Sequence, residues 1–291
     1  MKNLKKTLAL LLALAMALVL AACGTEAPPQ TEAPGATEPA EEPAAEPVEL
    51  VVFAAASMEE TLTEIQGMYA SVAPNVTLVF NFDSSGTLKT QIQNAAPCDI
   101  FISAGQKQMD QLDIEADESV NTEGLDFVLA ESRIDLLENR VTLCVPEGNP
   151  KGIESFDQLA ELLEAGDVFM CMGNSDVPVG QYTQKIFAYY GLDETELANR
   201  QLISYGSNVK EVATQIKEGS VDCGVIYCTD AFSEGLEIAD YATAEMCGQV
   251  IYPAAVLKTS EHQEAAQAFL DYLSTDEAMA VFESVGFAPV Q

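Results

Sequence analysis

Leu50-Val51-Val52-Phe53-Ala54-Ala55, followed at once by Ala56-Ser57 and by the segment Met58 to Val72, decides the fold class. The first stretch is a continuous apolar run of strand length, and the segment after it carries Leu62, Ile65, Met68 and Tyr69 at helical spacing. A strand that turns a tight corner into a helix opens a β-α-β unit, and the pattern repeats. Val76 to Phe82 reads as a second strand, Thr87 to Ala95 as a second helix and Asp99 to Ser103 as a buried strand. Strands alternating with helices predict an α/β protein with a mostly parallel sheet flanked by helices.

Working outward, Gln106 to Arg140 is acidic and less periodic and reads as short helices and loops. Val141 to Val145 is the next strand, closed by Pro146 and the turn formers Gly148, Asn149 and Pro150. A second series follows: helix Phe156 to Glu164, strand Val168 to Met172, helices Gln181 to Tyr190 and Val209 to Lys217, and strand Cys223 to Tyr227. Val250 to Leu257 is a further strand, with closing helices at His262 to Leu273 and Asp276 to Ser284. Two such units joined by two crossings predict two lobes, one from 48–143 plus 250–291 and one from 144–249, with a ligand cleft between them. In open α/β sheets a ligand sits beyond the carboxyl ends of the strands. No repeat with a period of about 20 to 50 residues is visible, which excludes a solenoid.

Upstream, Lys2, Lys5 and Lys6 precede an apolar run from Leu8 to Val19, which is too short and wrongly flanked for a membrane span and reads as a signal peptide over 1–22. Leu20-Ala21-Ala22-Cys23 resembles a bacterial lipoprotein processing site, which implies cleavage before Cys23 and a lipid anchor on it. Residues 23–47 alternate Pro, Ala, Thr and Glu with no basic residue, a composition that stays extended and solvated as a tether. The expected location is therefore extracytoplasmic, on the outer face of a cell membrane.

A formal net charge of −33 argues against nucleic acid as a partner. Cys98, Cys144, Cys171, Cys223, Cys228 and Cys247 mostly lie in apolar strand-like runs, which favours buried thiols over a disulfide framework. Cys223 and Cys228 would face opposite sides of a strand, and the chain has a single histidine, His262, so no metal centre is expected.

The corners between strands and helices are alike: Ala56-Ser57, Asp83-Ser84-Ser85-Gly86, Asp176-Val177-Pro178-Val179-Gly180 and Ser207-Asn208-Val209. Each helix start offers unpaired backbone N–H groups and the positive end of a helix dipole, the makings of an anion site. The plainer reading is capping, with Ser57 and Glu60, and Asn208 and Glu211, as capping boxes.

Val51 to Ser57, Ser84-Ser85-Gly86-Thr87-Leu88 with Gln91-Ile92, and Ala96 to Ala104 are similar to segments of the periplasmic molybdate-binding proteins of ABC importers. The similarity resumes at Val177 to Tyr182, Gly224 to Ala231 and Ile251 to Ala254, in order over most of 50–287. The resemblance implies a two-lobed periplasmic binding protein fold of type II and a monomer that delivers its ligand to a membrane permease. It also implies a tetrahedral oxyanion, molybdate or tungstate, held by donors without protein–metal coordination and without any cofactor. Carried over by motif, Ser57 and Ser85 would each give a hydroxyl and an amide, Val179 and Val209 backbone amides, and Tyr227 its phenol.

Neutral donors can hold a dianion even in so acidic a chain. Repulsion is screened over about 8 Å at physiological salt, whereas a charge-assisted hydrogen bond acts at contact and is worth about 1.5 to 3 kcal/mol. Alternatives of the same fold are binding of sulfate or of an organic acid, though no matched loop carries the Arg that a carboxylate usually recruits. A serine hydrolase built on Ser57 or Ser85 lacks a Gly-x-Ser-x-Gly elbow, and His262 sits in a polar stretch away from either serine, so no enzymatic activity is expected.

Overall fold

A computed structural model describes residues 46–290. The expected signal peptide, the expected lipid site at Cys23 and nearly all of the expected tether lie outside the described residues, among which no helix is long and apolar enough to cross a membrane.

The chain opens with strand β1 (Val48–Ala55), a short 3-10 turn (Ala56–Met58) and helix α1 (Glu59–Val72). Strand β2 (Val76–Asp83), helix α2 (Ser85–Gln93), strand β3 (Ile100–Ile102), helix α3 (Gln106–Asp110) and strand β4 (Ile134–Asn139) complete the first pass. The chain then builds a second body: β5 (Val141–Val145), α4 (Phe156–Ala165), β6 (Met170–Gly173), α5 (Pro178–Tyr190), α6 (Glu194–Asn199) and β7 (Ile203–Gly206). This body closes with α7 (Val209–Lys217), β8 (Cys223–Tyr227), α8 (Cys228–Glu234), β9 (Glu237–Tyr241) and α9 (Ala244–Cys247). A return segment of β10 (Val250–Val256), α10 (Gln263–Leu273), α11 (Asp276–Ser284) and β11 (Ala288–Pro289) rejoins the first body.

Two sheets result, ordered β11-β4-β10-β3-β1-β2 and β7-β6-β8-β5-β9. In each, the three strands that feed ligand-facing corners run parallel: β1 lies between β2 and β3, and β6 between β7 and β8. The antiparallel strands β10 and β5 join the parallel sets to the hinge side, and the first crossing between the bodies is Arg140 alone. Strand β5 lies wholly in the second sheet, so this crossing falls ahead of the boundary expected between 143 and 144. The reason is that the Pro-Gly-Asn cluster after Val145 ends a strand of the second body and does not separate the bodies.

The expectation of helices and loops throughout 106–140 needs correction, because β4 is a strand inside the first sheet. Asp135 and Glu138 disguise it; Leu136 and Leu137 are buried, and pairing with β10 on one side and β11 on the other stabilises the extended chain. Strands β7, β9 and β11 also escape the sequence pattern, since each is short and sits at a sheet edge where a neighbour supplies the hydrogen bonds. Cys228 is not on a strand with Cys223 but opens α8. All six described cysteines are free and buried.

Candidate functional site

The parallel strands deliver five segments to one region. Strand β1 ends in the turn that carries Ser57, and β2 ends at Asp83, after which Ser84 caps α2 by accepting the Thr87 N–H at 3.2 Å. Because Ser84 is the cap, Ser85 is free for other work; its buried Oγ accepts the Ala104 N–H at 2.9 Å. Strand β6 leads through Asn174 to α5, where Val177 is the N-cap residue without a side-chain cap bond and Pro178 holds the first helical position. Val179 follows, buried, with its N–H in the first turn, where no intrahelical acceptor exists. Strand β7 leads to Asn208, which caps α7 at 3.0 Å through the Glu211 N–H, and Val209 is the first helical residue. Strand β8 ends at Tyr227.

Ser57 does not cap a helix. The N-cap position of α1 is Met58, with no side-chain cap bond, and the Ser57 hydroxyl instead meets the Tyr252 phenol at 2.9 Å. Its supposed partner Glu60 reaches across to Lys210 on α7, with oxygen and nitrogen 2.5 Å apart. The Asn208 box is also displaced, since the Glu211 carboxylate accepts from the Ser207 N–H at 2.7 Å and not from Asn208.

The structure links Ser85 and Tyr227 through Ala104 and brings the elements that carry Ser57, Val179 and Val209 close to that region. Tyr227 Oη donates to the Ala104 carbonyl at 3.3 Å, one residue position whose N–H already binds Ser85, so a second-body phenol and a first-body hydroxyl share one peptide neighbourhood. The helix begun by Val209 packs on the turn that carries Ser57. Pro178, beside Val179, approaches Gly105, where an added Cβ would lie 3.3 Å from the proline ring. At Gly86 an added Cβ would fall 2.1 Å from the Asp176 carbonyl oxygen, so the start of α2 and the loop before α5 are in backbone contact. A file of edge-to-face rings, Tyr182–Tyr227–Tyr252–Phe287, runs through the same region, with centroids 6.4, 5.7 and 5.2 Å apart.

Burial raises the Tyr227 and Tyr252 phenols well above their ordinary value, so both remain protonated donors. Lys210 is engaged by Glu60 and lies 3.7 Å from the buried Asp230. Burial pulls the lysine down, but these carboxylates outweigh it and raise it. Asp230, in the first turn of α8, is fully buried, and neither carboxylate oxygen has a hydrogen-bond partner among the described residues. Burial pushes it up to about 7, against the pull of Lys210. Arg140 stacks on the Tyr241 ring at 4.4 Å, and Arg133 is bound by Asp110 and Asp113 at 2.6 and 2.8 Å, so both guanidinium groups have other partners.

The acidic segment around Arg133 forms a separate depression of about 370 Å³, lined by Asp113, Glu115, Glu131 and Asp135 as well as Arg133 and Lys258. Its excess of carboxylates disfavours an anion. A second opening beside α2, about 440 Å³, is lined by Gly86, Thr87, Thr90, Gln91, Asn94, Ala96 and Asp176 and by none of the five expected residues. Among the described residues no group of three or more His, Cys, Asp or Glu is placed to hold a metal ion, and His262 is exposed at the start of α10.

Tyr252, Asn139 and Thr229 are joined to Ser57 by hydrogen bonds but were not singled out by their sequence. Tyr252-Pro253 inside a buried strand was the available signal, because a buried phenol has to find a hydrogen-bond partner.

A family model described as bacterial extracellular solute-binding protein matches residues 50–288. YvgL of Bacillus subtilis, named for a role as an ABC transporter substrate-binding lipoprotein, is 32% identical over 242 residues, covering 82% of this chain and 86% of its own. A molybdate-binding protein of Mycobacterium tuberculosis is 30% identical over 269 residues, 92% of each chain. Among solved structures, the periplasmic molybdate-binding protein of Azotobacter vinelandii has a TM-score of 0.69 at 21% identity, covering 83% of this chain and all of its own. A sulfate-binding protein of Mycobacterium tuberculosis has a TM-score of 0.65 at 18% identity, covering 84% of this chain and 88% of its own. At these identities the two structures speak for the fold, the two-lobed type II arrangement, and not for the ligand.

Proposed function

The chain belongs to the bacterial extracellular solute-binding proteins, and from that membership we propose that it captures molybdate, or the similar tungstate, between its two lobes. In this reading the chain is a transport protein and not an enzyme, and it works outside the cytoplasm with a membrane permease of an ABC importer, the role for which its YvgL relative is named. What supports the oxyanion reading is the pair of buried hydroxyls, Ser57 and Ser85, at the ends of adjacent parallel strands, together with the first turns of α5 and α7 and a Lys210 already engaged by Glu60. In this reading Ser57 and Ser85 supply hydroxyls, Val179 and Val209 supply amides, and Tyr227 turns its phenol from the Ala104 carbonyl to the ligand. The molybdate-binding relatives favour molybdate over sulfate as the cargo.

The lobes move about the Arg140 crossing and the segment between β9 and β10, and closure on the ligand presents the form that docks on the permease. Cys23 carries the lipid, and the tether to Pro47 sets the reach of the domain from the membrane. One acyl chain anchors only marginally, so durable attachment needs the several chains expected at a processed lipoprotein cysteine.

Calorimetric titration with molybdate, tungstate and sulfate tests the cargo: sulfate is expected to bind at least about 100-fold more weakly, a difference of about 2.7 kcal/mol. Comparable sulfate affinity would shift the assignment to the sulfate-binding alternative. Metabolic labelling with a clickable fatty acid is expected to mark the wild-type protein and not Cys23→Ala.

A further inference from the structure

The hydroxyl of Ser57 is wired from behind. Asn139, the last residue of β4, is 3% exposed and stands beside the crossing. Its Oδ1 accepts the Arg140 N–H at 2.7 Å and the Cys228 thiol at 3.2 Å, which identifies that end of the amide as oxygen. The Nδ2 end then donates both of its protons, one to Thr229 Oγ1 at 3.0 Å and one to Tyr252 Oη at 3.1 Å. A phenol carries one proton. With its oxygen accepting from Asn139, Tyr252 has its own proton to offer, and Ser57 Oγ lies within hydrogen-bond reach at 2.9 Å.

We infer that Asn139 and Tyr252 are positioning residues that hold the Ser57 hydroxyl as an acceptor on its inner side, leaving its own proton to point into the cleft as an obligate donor. The inference rests on the oxyanion reading of that cleft. It gives the two residues a role in selectivity: they oppose oxyanions that retain a proton.

Ser85 is set the same way by a group that cannot reverse, since its Oγ accepts the Ala104 backbone N–H. Both serine hydroxyls are thus donors toward a ligand. Asn139, Tyr252, Ser57 and Thr229 are all buried, so a reversed chain would set donor against donor with little access for water to relieve it. Molybdate, tungstate and sulfate bring only acceptors at neutral pH. Hydrogen phosphate brings an O–H that would face these two donors and find no acceptor in either serine.

Two variants of the full-length chain separate this from a structural role. Asn139→Asp is isosteric but replaces the two donors by an acceptor, so Tyr252 would donate to it, accept from Ser57 and turn the serine proton inward. Tyr252→Phe removes the relay. Competition titrations with molybdate and inorganic phosphate at about pH 8 are read as the ratio of the two affinities, with near-ultraviolet circular dichroism as the check on folding. The wild type is expected to exclude phosphate, Tyr252→Phe to lower the ratio at least about tenfold, and Asn139→Asp to lower it further with a gain in phosphate affinity. Should Asn139→Asp fail to fold, the Tyr252→Phe ratio decides. An unchanged ratio in folded variants of a molybdate-selective wild type overturns the inference alone. So does a wild type that takes phosphate as readily as molybdate. A wild type that binds no oxyanion overturns the oxyanion reading and the inference together.

Discussion

The two lobes reach the cleft by different means. The first offers side-chain hydroxyls, Ser57 and Ser85, each held from behind by a hydrogen bond to Tyr252 or to the Ala104 N–H. The second offers the opening turns of α5 and α7 behind apolar side chains, Val179 and Val209, that are buried in the core. The contrast teaches where chemical identity matters. In the proposed site the first lobe's serines act through their side chains, whereas at Val179 and Val209 the backbone would be the contact and the side chain only packs, Tyr227 being the second lobe's one side-chain donor.

The largest expected effect is at the contact between the lobes. Gly86→Ala would place a Cβ 2.1 Å from the Asp176 carbonyl, a clash present only when the lobes are together. Calorimetry is expected to show a loss of affinity of about 100-fold or more, about 3 kcal/mol, with little change in melting temperature. A variant that binds normally would show that closure does not bring α2 onto the loop before α5.

Next come the first-lobe hydroxyls. Ser85→Ala and Ser57→Ala are each expected to lose about 1.5 to 3 kcal/mol, or about ten- to 100-fold in affinity. Full affinity in both would remove the first lobe's side chains from the site.

The second lobe has its own buried charge in Asp230. Its folded carboxyl is raised from the ordinary 3.8 to about 7. The folded state therefore binds the proton more tightly, and the stability this brings is fully present below about pH 4 and is lost as pH rises through 7. Asp230→Asn is expected to melt higher than the wild type at about pH 8, by about 1 to 2 kcal/mol after the loss of its attraction for Lys210, with the advantage gone by about pH 4. Parallel melting curves across that range would show that Asp230 is ionised throughout.

Glu60→Gln breaks the pair that joins α1 to α7 across the lobes. The Glu60 side chain is 45% exposed, so the loss is expected to stay within about 1 kcal/mol and to shrink at high salt, which affinity measurements at two ionic strengths would reveal. Smallest for binding are Val179→Ala and Val209→Ala, with affinity within about threefold of wild type. Their cost falls on stability, about 1 to 2 kcal/mol each from lost packing, read by thermal melts. A large loss of affinity there would mean that these two positions, too, recognise the ligand through their side chains.

Most of the central elements were legible. The parallel strands β6 and β8 are apolar runs buried on both faces, β1 is largely so, β2 was legible from its strand-length run at a sheet edge, and α7 occupies Val209–Lys217 as its periodicity predicts. What escaped was stabilised from outside the segment. Strand β4 carries Asp135 and Glu138 and becomes a strand because β10 pairs with it; β7, β9 and β11 are edges with too few residues to show a period. Likewise Ser57 followed by Glu60 has the spacing of a capping box, yet both side chains found stronger partners at long range in Tyr252 and Lys210.

The sequence by itself determined the α/β class, the corners that face the cleft and the residues at them, because periodicity and turn chemistry are local properties of the chain. It also carried the family likeness over 50–288. Only the tertiary structure decided which hydroxyl caps a helix and which does not, and which partners the Ser57 and Ser85 hydroxyls meet. Those outcomes depend on Asn139, Tyr252 and Ala104, which lie 82, 195 and, for Ser85, 19 positions away in the chain. A hydrogen bond's direction is set by its partner's other bonds, and those partners meet only in the fold.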